Sequence, residues 1–137
     1  MTDPYFKIDG TSVKFVGTSL KIDAIAEMGA VVQTVTSYTP DAAATATLDL
    51  SLGNIHSITM PAGNITIAVS NETAGQCFLV EITQDGTGSR TVNWFTTIRW
   101  AGGGAPTLTT TGSKTDVFGF RVTSADNYLG YVVGQNL

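Results

Sequence analysis

Every second residue is apolar on both sides of a glycine-rich turn between residues 75 and 100. The alternating residues are Phe78, Val80 and Ile82 before the turn and Val92 and Trp94 after it. A period of two residues is the repeat of a strand that buries one face, so we predict two half-buried strands joined as a hairpin. The turn sequence DGTGS, at residues 85–89, supplies glycines that readily adopt the positive φ angles of tight loops.

Short alternating runs of the same kind continue along the chain. They occupy residues 47–52, 55–60, 65–69, 97–100, 116–122 and 128–133, with Gly, Asn, Asp or Pro between most of them. Turn signals about every 8 to 12 residues between short strands are typical of antiparallel sandwiches and barrels. We therefore predict an all-β fold, an antiparallel β-sandwich resembling a jelly roll, over residues 41–137.

The inward faces of these strands define a predicted core. The predicted inward residues are Phe78, Val80, Phe118 and Phe120, and Leu48, Leu50 and Leu52 share one face of an earlier strand. Cys77 is the chain's single cysteine, so no internal disulfide can form. Its position beside Phe78 predicts a buried free thiol.

The first 40 residues contain a repeat of seven residues. KIDGTSV is followed by KFVGTSL and then by KID, and Gly10 and Gly17 within the repeats argue against a helix. We predict a small β-meander that forms an N-terminal arm over residues 1–40. The repeat carries Lys7, Lys14, Phe15 and Lys21. These residues form either a solvated edge whose lysines prevent aggregation or an attachment surface for an acidic partner.

The charge balance limits the class of partner. Seven Lys and Arg residues against eleven Asp and Glu residues give a net charge of -4, so no basic surface for nucleic acid is expected. The longest apolar runs fall short of the ~18 residues that span a bilayer, and we expect no membrane partner. Only 13% of the residues are charged, a composition that favours association.

The sequence predicts no catalytic residue, no cofactor and no metal site. The acids are scattered over different strands and turns, with no spacing typical of metal ligands or of a glycosidase pair. The run Gly102-Gly103-Gly104 is not followed by the Lys-Ser or Lys-Thr of a phosphate loop. We therefore expect a protein that is not an enzyme.

Two tryptophans flank the glycine-rich loop that follows the predicted hairpin. Trp94, Trp100 and Gly103 lie close together in the sequence. One interpretation is that the rings pack in the core; the other is that they form an exposed contact surface for sugars or for another chain.

Three segments resemble a known family of domains. They are AGQCFLVEITQDGTGSRTVNW, IRWAGGGAPTLTTTGSKTDVFGFRV and NYLGYVVGQNL, all within residues 41–137. Together they resemble a domain that recurs at the C-termini of virion proteins of tailed bacteriophages. The resemblance implies a small β-sandwich that serves as a tail-fibre, head-fibre or capsid-surface module and assembles as a homotrimer.

The resemblance implies a function in the particle. We predict a non-enzymatic structural protein of a phage virion, assembled in the host bacterial cytoplasm, most simply a capsid decoration or head-fibre protein that contacts other virion proteins. The short segment before the sandwich favours decoration over a fibre with a long shaft. The alternative is a tail-fibre or adsorption module that binds a host surface glycan. Buried patches between subunits are expected at Leu79, Val117 and residues 132–137.

Overall fold

The computed structural model describes residues 32–137, and in this part of the chain the fold is all-β. Strands and turns make up the described residues, without a helix. The strands are β1 (Val35–Tyr38), β2 (Thr45–Asp49), β3 (Ile55–Thr59), β4 (Ile65–Ser70), β5 (Cys77–Thr83), β6 (Val92–Asn93), β7 (Ile98–Trp100), β8 (Thr115–Ser124) and β9 (Asn127–Gly134).

The strands form two sheets. The larger sheet has six strands in the order β1-β3-β5-β8-β9-β7, and the smaller sheet has three in the order β2-β4-β6. From β1 to β6 the chain therefore changes sheet at every turn. Successive strands within each sheet run parallel: Ile58 pairs with Ile82 in the larger sheet, and Ala46 pairs with Ile67 in the smaller one.

The C-terminal strands extend the larger sheet differently. β8 runs antiparallel to β5, with Phe120 opposite Phe78, and β8 and β9 form a true hairpin. The hairpin turn contains Asp126, whose φ of 55° is tolerated by Asp more readily than by most residues. β7 completes the edge by pairing in parallel with β9.

One apolar core lies between the two sheets. It contains residues of both sheets, including Leu48 and Ile67 of the smaller sheet and Ile58 of the larger one. The predicted inward residues Phe78, Val80, Phe118 and Phe120 are all buried, which confirms that prediction. Leu48 and Leu50 are buried as well, but Leu52 is 56% exposed because β2 ends at Asp49 and the chain turns before it.

The predicted antiparallel, jelly-roll pairing is wrong for most of the described strands. β5 and β6, predicted to form a hairpin, lie in different sheets, and five of the seven pairings within residues 32–137 are parallel. Alternation with a period of two shows which side chains point inward. It does not show whether the next strand pairs with the first or packs opposite it across the core.

Strand structure begins before residue 41, the predicted start of the sandwich domain. β1 pairs with β3 along its whole length and forms an edge of the larger sheet. The predicted attachment residues Lys7, Lys14, Phe15 and Lys21, and most of the predicted arm, lie outside the described residues.

Candidate functional site

Aromatic side chains cover the inner face of the larger sheet where the smaller sheet has too few strands to do so. Trp94 and Phe95 directly follow β6. The ring centre of Trp94 lies 5.0 Å from that of Phe118, and the ring centre of Phe95 lies 4.7 Å from that of Tyr128, both edge to face. Such contacts are favourable beyond the area they bury, so these residues complete the core in place of further strands.

The structure brings together two of the three residues predicted to contact a sugar. The ring centres of Trp94 and Trp100 are 5.1 Å apart, and both side chains are half-buried against the core. The Trp100 ring also covers Gly130, where an added Cβ would lie 2.7 Å from a ring carbon. Gly103 lies in the exposed loop after β7, and its amide donates to the Trp100 carbonyl at 3.0 Å.

A pocket of about 220 Å³ opens beside Trp94. One wall is formed by residues 89–92 and the other by residues 106–110, with Trp94 between them. We call this the Trp94 pocket. Its lining combines apolar groups from Val92, Pro106 and Leu108 with hydroxyl groups from Ser89, Thr91, Thr107 and Thr110. Such a mixture suits a small ligand that has both an apolar face and polar edges.

The buried side chain of Gln84 joins the two walls of the Trp94 pocket. Its amide nitrogen donates to the carbonyl oxygens of Arg90 and Thr109, at 2.9 Å each. Its amide oxygen accepts the Arg90 backbone N–H at 3.0 Å. Gln84 is 4% exposed, so these bonds form in a region of low dielectric where they fix geometry strongly.

Asp85 organises the turn that leads into the first wall. Its carboxylate accepts the Gly88 amide at 2.7 Å and two N–H groups of Arg90, the shorter also at 2.7 Å. The Arg90 guanidinium lowers the pKa of the Asp85 carboxyl below its ordinary value, since it stabilises the charged form. A bidentate pair of this kind positions Arg90 as well as the turn.

The second wall is held by Asp116, which is 2% exposed. The carboxylate accepts the backbone N–H and the hydroxyl of Thr109, at 2.6 and 2.7 Å, and the Asn136 amide at 3.0 Å. Gln135 donates to the same carboxylate at 3.3 Å and to the Thr107 carbonyl at 2.7 Å. Burial raises the pKa of Asp116, but these hydrogen bonds outweigh it and the net pKa is below the ordinary value.

Glycines let the two loops behind the pocket approach with their backbones in contact. An added Cβ on Gly112 would collide with the Gly86 carbonyl, and one on Gly88 would collide with the Thr110 carbonyl. Gly88 also has a φ of 77°, which disfavours other residues. The QDGTGSR segment and the TTTGSK segment are therefore two halves of one interlocked structure, rather than a hairpin turn and a separate loop.

Sequence reasoning missed Gln84 and Asp116, although a signal for both was present. Gln84 lies two residues after inward-facing Ile82, and Asp116 lies two residues before inward-facing Phe118. Both therefore occupy positions whose side chains point into the core. Polar side chains at inward positions must find hydrogen-bond partners. That rule identifies both residues as organisers of nearby loops, but it does not identify the partners.

The outer face of the larger sheet carries a row of small and apolar residues. Strand register aligns Val35, Ile55, Leu79, Gly119 and Tyr131 across β1, β3, β5, β8 and β9. We call this the outer apolar row. Val35 is 53% and Tyr131 43% exposed, and a depression of about 430 Å³ lies over Leu79 and Gly119. Contiguous apolar surface of this kind marks interaction sites in many proteins.

Cys77 lies beside this row, and the prediction that it is buried is wrong. The side chain is exposed, opposite Arg121 on β8. Phe78 points into the core, so its neighbour on the strand must point outward. Free cysteines are commonly buried, but the alternation of side chains along β5 places Cys77 on the exposed outer face.

A buried hydrogen-bond chain links β1, β2 and β3. His56 is fully buried, and its Nε2 lies 3.1 Å from the Gly53 carbonyl oxygen, which can only accept. The proton is therefore on Nε2, and Nδ1 accepts the Tyr38 hydroxyl at 3.1 Å. The Tyr38 oxygen in turn accepts the Asp49 amide at 3.3 Å. Burial lowers the pKa of His56 below its ordinary value.

Residues 32–137 contain no group of His, Cys, Asp and Glu side chains placed to bind a metal ion. In the same part of the chain no helix has the length and apolarity needed to cross a membrane. Comparison with known proteins found no matching family model, no matching curated protein and no matching solved structure.

Proposed function

We propose that this chain is a non-enzymatic structural component of a phage virion, most simply a capsid decoration or head-fibre protein. Two arguments support the proposal: the sequence resemblance to virion domains and the outer apolar row. The row is the observation that carries it, because exposed Val35 and Tyr131 on a broad sheet face suit permanent contact with another protein surface.

A cyclic homotrimer is the assembly that we propose. Leu79 and Val117 are half-buried on the outer face of the larger sheet, and the C-terminal residues Val132, Val133 and Leu137 are exposed. In a ring, each chain contacts its neighbours through two different patches, so the face and the tail together can close the assembly.

Light scattering at micromolar concentration tests the trimer, with a mass of three chains expected. Leu79→Lys, at the centre of the outer apolar row, should shift the mass to that of one chain. Thr47→Lys introduces the same charge at an exposed position of β2 in the smaller sheet and should leave the trimer intact. A monomeric wild-type protein, or equal masses for the two variants, would contradict this interface.

Attachment to the particle is assigned in this proposal to the N-terminal arm, through Lys7, Lys14, Phe15 and Lys21. Replacing the three lysines together by Glu should abolish incorporation into particles if they contact an acidic surface. Normal incorporation of the triple variant would contradict their role. Retention of the wild-type trimer mass in this variant serves as the control for folding.

Gold labelling of intact particles with antibodies to the purified chain tests the function itself. Label on the capsid is the expected result. Label on the tail would instead favour the alternative, a tail-fibre or adsorption module for a host surface glycan. Particles without label, and without the chain in their mass spectra, would overturn both versions.

The glycan-binding alternative is favoured by one specific observation. Trp94 lines a small pocket together with several exposed hydroxyl groups. Aromatic rings combined with hydrogen-bonding groups are suited to ligands with both apolar and polar surfaces.

A further inference from the structure

We propose that the Trp94 pocket binds a single neutral pyranose ring, with Trp94 as the apolar contact and hydroxyl-bearing side chains at the rim. The inference deepens the glycan-binding alternative above and names its site and ligand class. It does not depend on where the protein sits in a particle.

The volume of the pocket selects a small ligand. At about 220 Å³ it is below the usual range for drug-sized molecules, roughly 300 to 1,000 Å³. One sugar ring is of a suitable size, whereas an enclosed oligosaccharide is not. Further rings of a glycan would have to extend into solvent.

The chemistry of the walls matches the two surfaces of a pyranose. Trp94, Pro106 and Leu108 offer an apolar side for the C–H face of the ring. The exposed hydroxyl-bearing residues are Ser89, Thr91, Thr107 and Thr110. A hydroxyl group both donates and accepts hydrogen bonds, so such a rim can pair with sugar hydroxyls in either sense.

Contacts within the protein hold the side chains and walls of the pocket in place. Trp94 is fixed by edge-to-face contacts with Phe118 and Trp100, at 5.0 and 5.1 Å between ring centres. Gln84 bonds to both walls, and Asp116 anchors the second wall at Thr109. Binding therefore requires little ordering of side chains, which lowers its entropic cost.

Charge favours a neutral sugar over an acidic one. Arg90 is the only ionisable residue among those that line the pocket within the described chain. Its guanidinium already pairs with Asp85 at 2.7 Å, with both side chains largely shielded from solvent. An anionic sugar would have to compete with the Asp85 carboxylate for the Arg90 guanidinium, whereas a neutral ring can bind through the hydroxyl groups of the rim.

Nuclear magnetic resonance of the full chain provides the test. The chain has two tryptophans, so the indole N–H region should contain two signals, which Trp100→Phe assigns. Titration with glucose, galactose, mannose and N-acetylglucosamine should shift the Trp94 signal saturably for at least one of these four sugars. Glucuronate, titrated as the acidic comparison, should shift it less. The expected dissociation constant is about 1 to 10 mM. The Trp100 ring contacts Trp94 but does not line the pocket, so its signal should move less than that of Trp94.

A pair of matched variants locates the site. Thr107→Tyr should fill the pocket and weaken binding at least about tenfold, a change of 1.4 kcal/mol in binding free energy. Thr59→Tyr makes the same change at an exposed position outside the pocket lining and should bind like the wild type. If Thr107→Tyr loses the wild-type amide spectrum, Thr91→Tyr replaces it as the blocking variant.

Three results would overturn the inference. They are the absence of a saturable Trp94 shift with all four sugars, unchanged affinity in the folded blocking variant, and a response to glucuronate alone. None of them bears on whether the chain is found in particles, so failure of this inference and failure of the virion proposal are separate outcomes.

Discussion

The first six strands and the last two strands of this protein use the same alternating pattern in opposite ways. From β1 to β6 the chain changes sheet at every turn, and neighbours within a sheet run parallel. β8 and β9 remain in one sheet and form an antiparallel hairpin. We call β1–β6 the winding region and β8–β9 the hairpin region. In both regions the alternation of side chains determines which residues face the core. The connections determine whether the next strand enters the other sheet or pairs with the strand before it.

The connections of the winding region are held by polar side chains. Asp49 accepts the side chain of Asn71 at 2.9 Å, and Asn64 accepts the Thr91 amide at 2.9 Å. Gln76 donates to the Leu50 carbonyl, also at 2.9 Å. Each bond joins two turns that are 22 or more residues apart. In the hairpin region, by contrast, the strand ladder itself supplies most of the hydrogen bonds.

The largest expected effect comes from the aromatic cluster that both regions share. Phe120 of β8 stacks on Phe78 of β5, with ring centres 5.1 Å apart, and is 3% exposed. Phe120→Ala should lower the free energy of unfolding by about 3 to 5 kcal/mol, because it leaves a cavity between the two regions. Thr47→Ala, at an exposed position of β2, should have little effect.

Chemical denaturation of both variants measures this difference. A single transition is expected, since one core joins the winding region and the hairpin. Equal stability of Phe120→Ala and wild type would contradict the assigned core. Two separate transitions would mean that the regions unfold independently.

A smaller effect is expected for the buried carboxylate of Asp116, which joins the loop before β8 to the residues after β9. Asp116→Asn replaces one carboxylate oxygen by an NH2 group, so either the Thr109 amide or the Asn136 amide faces a donor instead of an acceptor, which should cost about 2 to 3 kcal/mol. The pKa of Asp116 is lowered in the fold, so its contribution is present above the unfolded value of 3.8 and is lost as pH falls below it. The free energies of unfolding of wild type and Asp116→Asn, measured as a function of pH, should therefore approach each other as the pH falls. Parallel curves down to low pH would contradict the assignment.

Two glycines of the interlocked loops provide a matched test of close packing. Gly112→Ala would bring a methyl group against the Gly86 carbonyl and should cost about 1 to 3 kcal/mol. Gly86→Ala meets no atom within 4 Å and should be nearly neutral. Thermal unfolding of the two variants compares them directly. Similar melting temperatures would show that the loops do not pack as described.

The fold was predictable where a residue's own chemistry decides its position. The inward orientation of the Phe78 and Phe118 side chains follows from their hydrophobicity and from the two-residue period of a strand. The pairing of β5 was not predictable in this way, because the loop after it is shaped by Gln84 and by contacts with residues 109–113. Those partners are distant in sequence, so no local sequence pattern predicts which residues they are.

The candidate site shows the same limit. Trp94 was identifiable from its type and neighbourhood, whereas Thr107 and Thr91 form the pocket only because two loops meet. Asp116 and Gln84 were detectable as polar residues at inward positions. Their hydrogen-bond partners depend on how the chain crosses between the two sheets, and the alternating pattern does not show which loops this crossing brings together.

The smallest expected effect concerns the buried chain of His56, Tyr38 and Asp49 within the winding region. Protonation of His56 at Nδ1 would remove the acceptor of the Tyr38 hydroxyl and place a charge in the core. Burial therefore lowers the pKa of His56 from its ordinary value of 6.5. As pH falls below 6.5, the unfolded chain takes up this proton first, so stability declines until the pH passes the lower pKa of the folded protein.

The single histidine of the chain makes this decline attributable to one residue. Melting temperatures between pH 7 and the range where carboxylates titrate, near pH 4, should fall gradually for wild type. His56→Gln keeps a polar side chain without an ionisable group, so its curve should be flat over the same interval, though lower at pH 7. Because β8 and β9 do not bond to His56, Asp126→Asn in their turn should retain the wild-type slope. An equal slope in His56→Gln would show that the buried imidazole does not control stability in this interval.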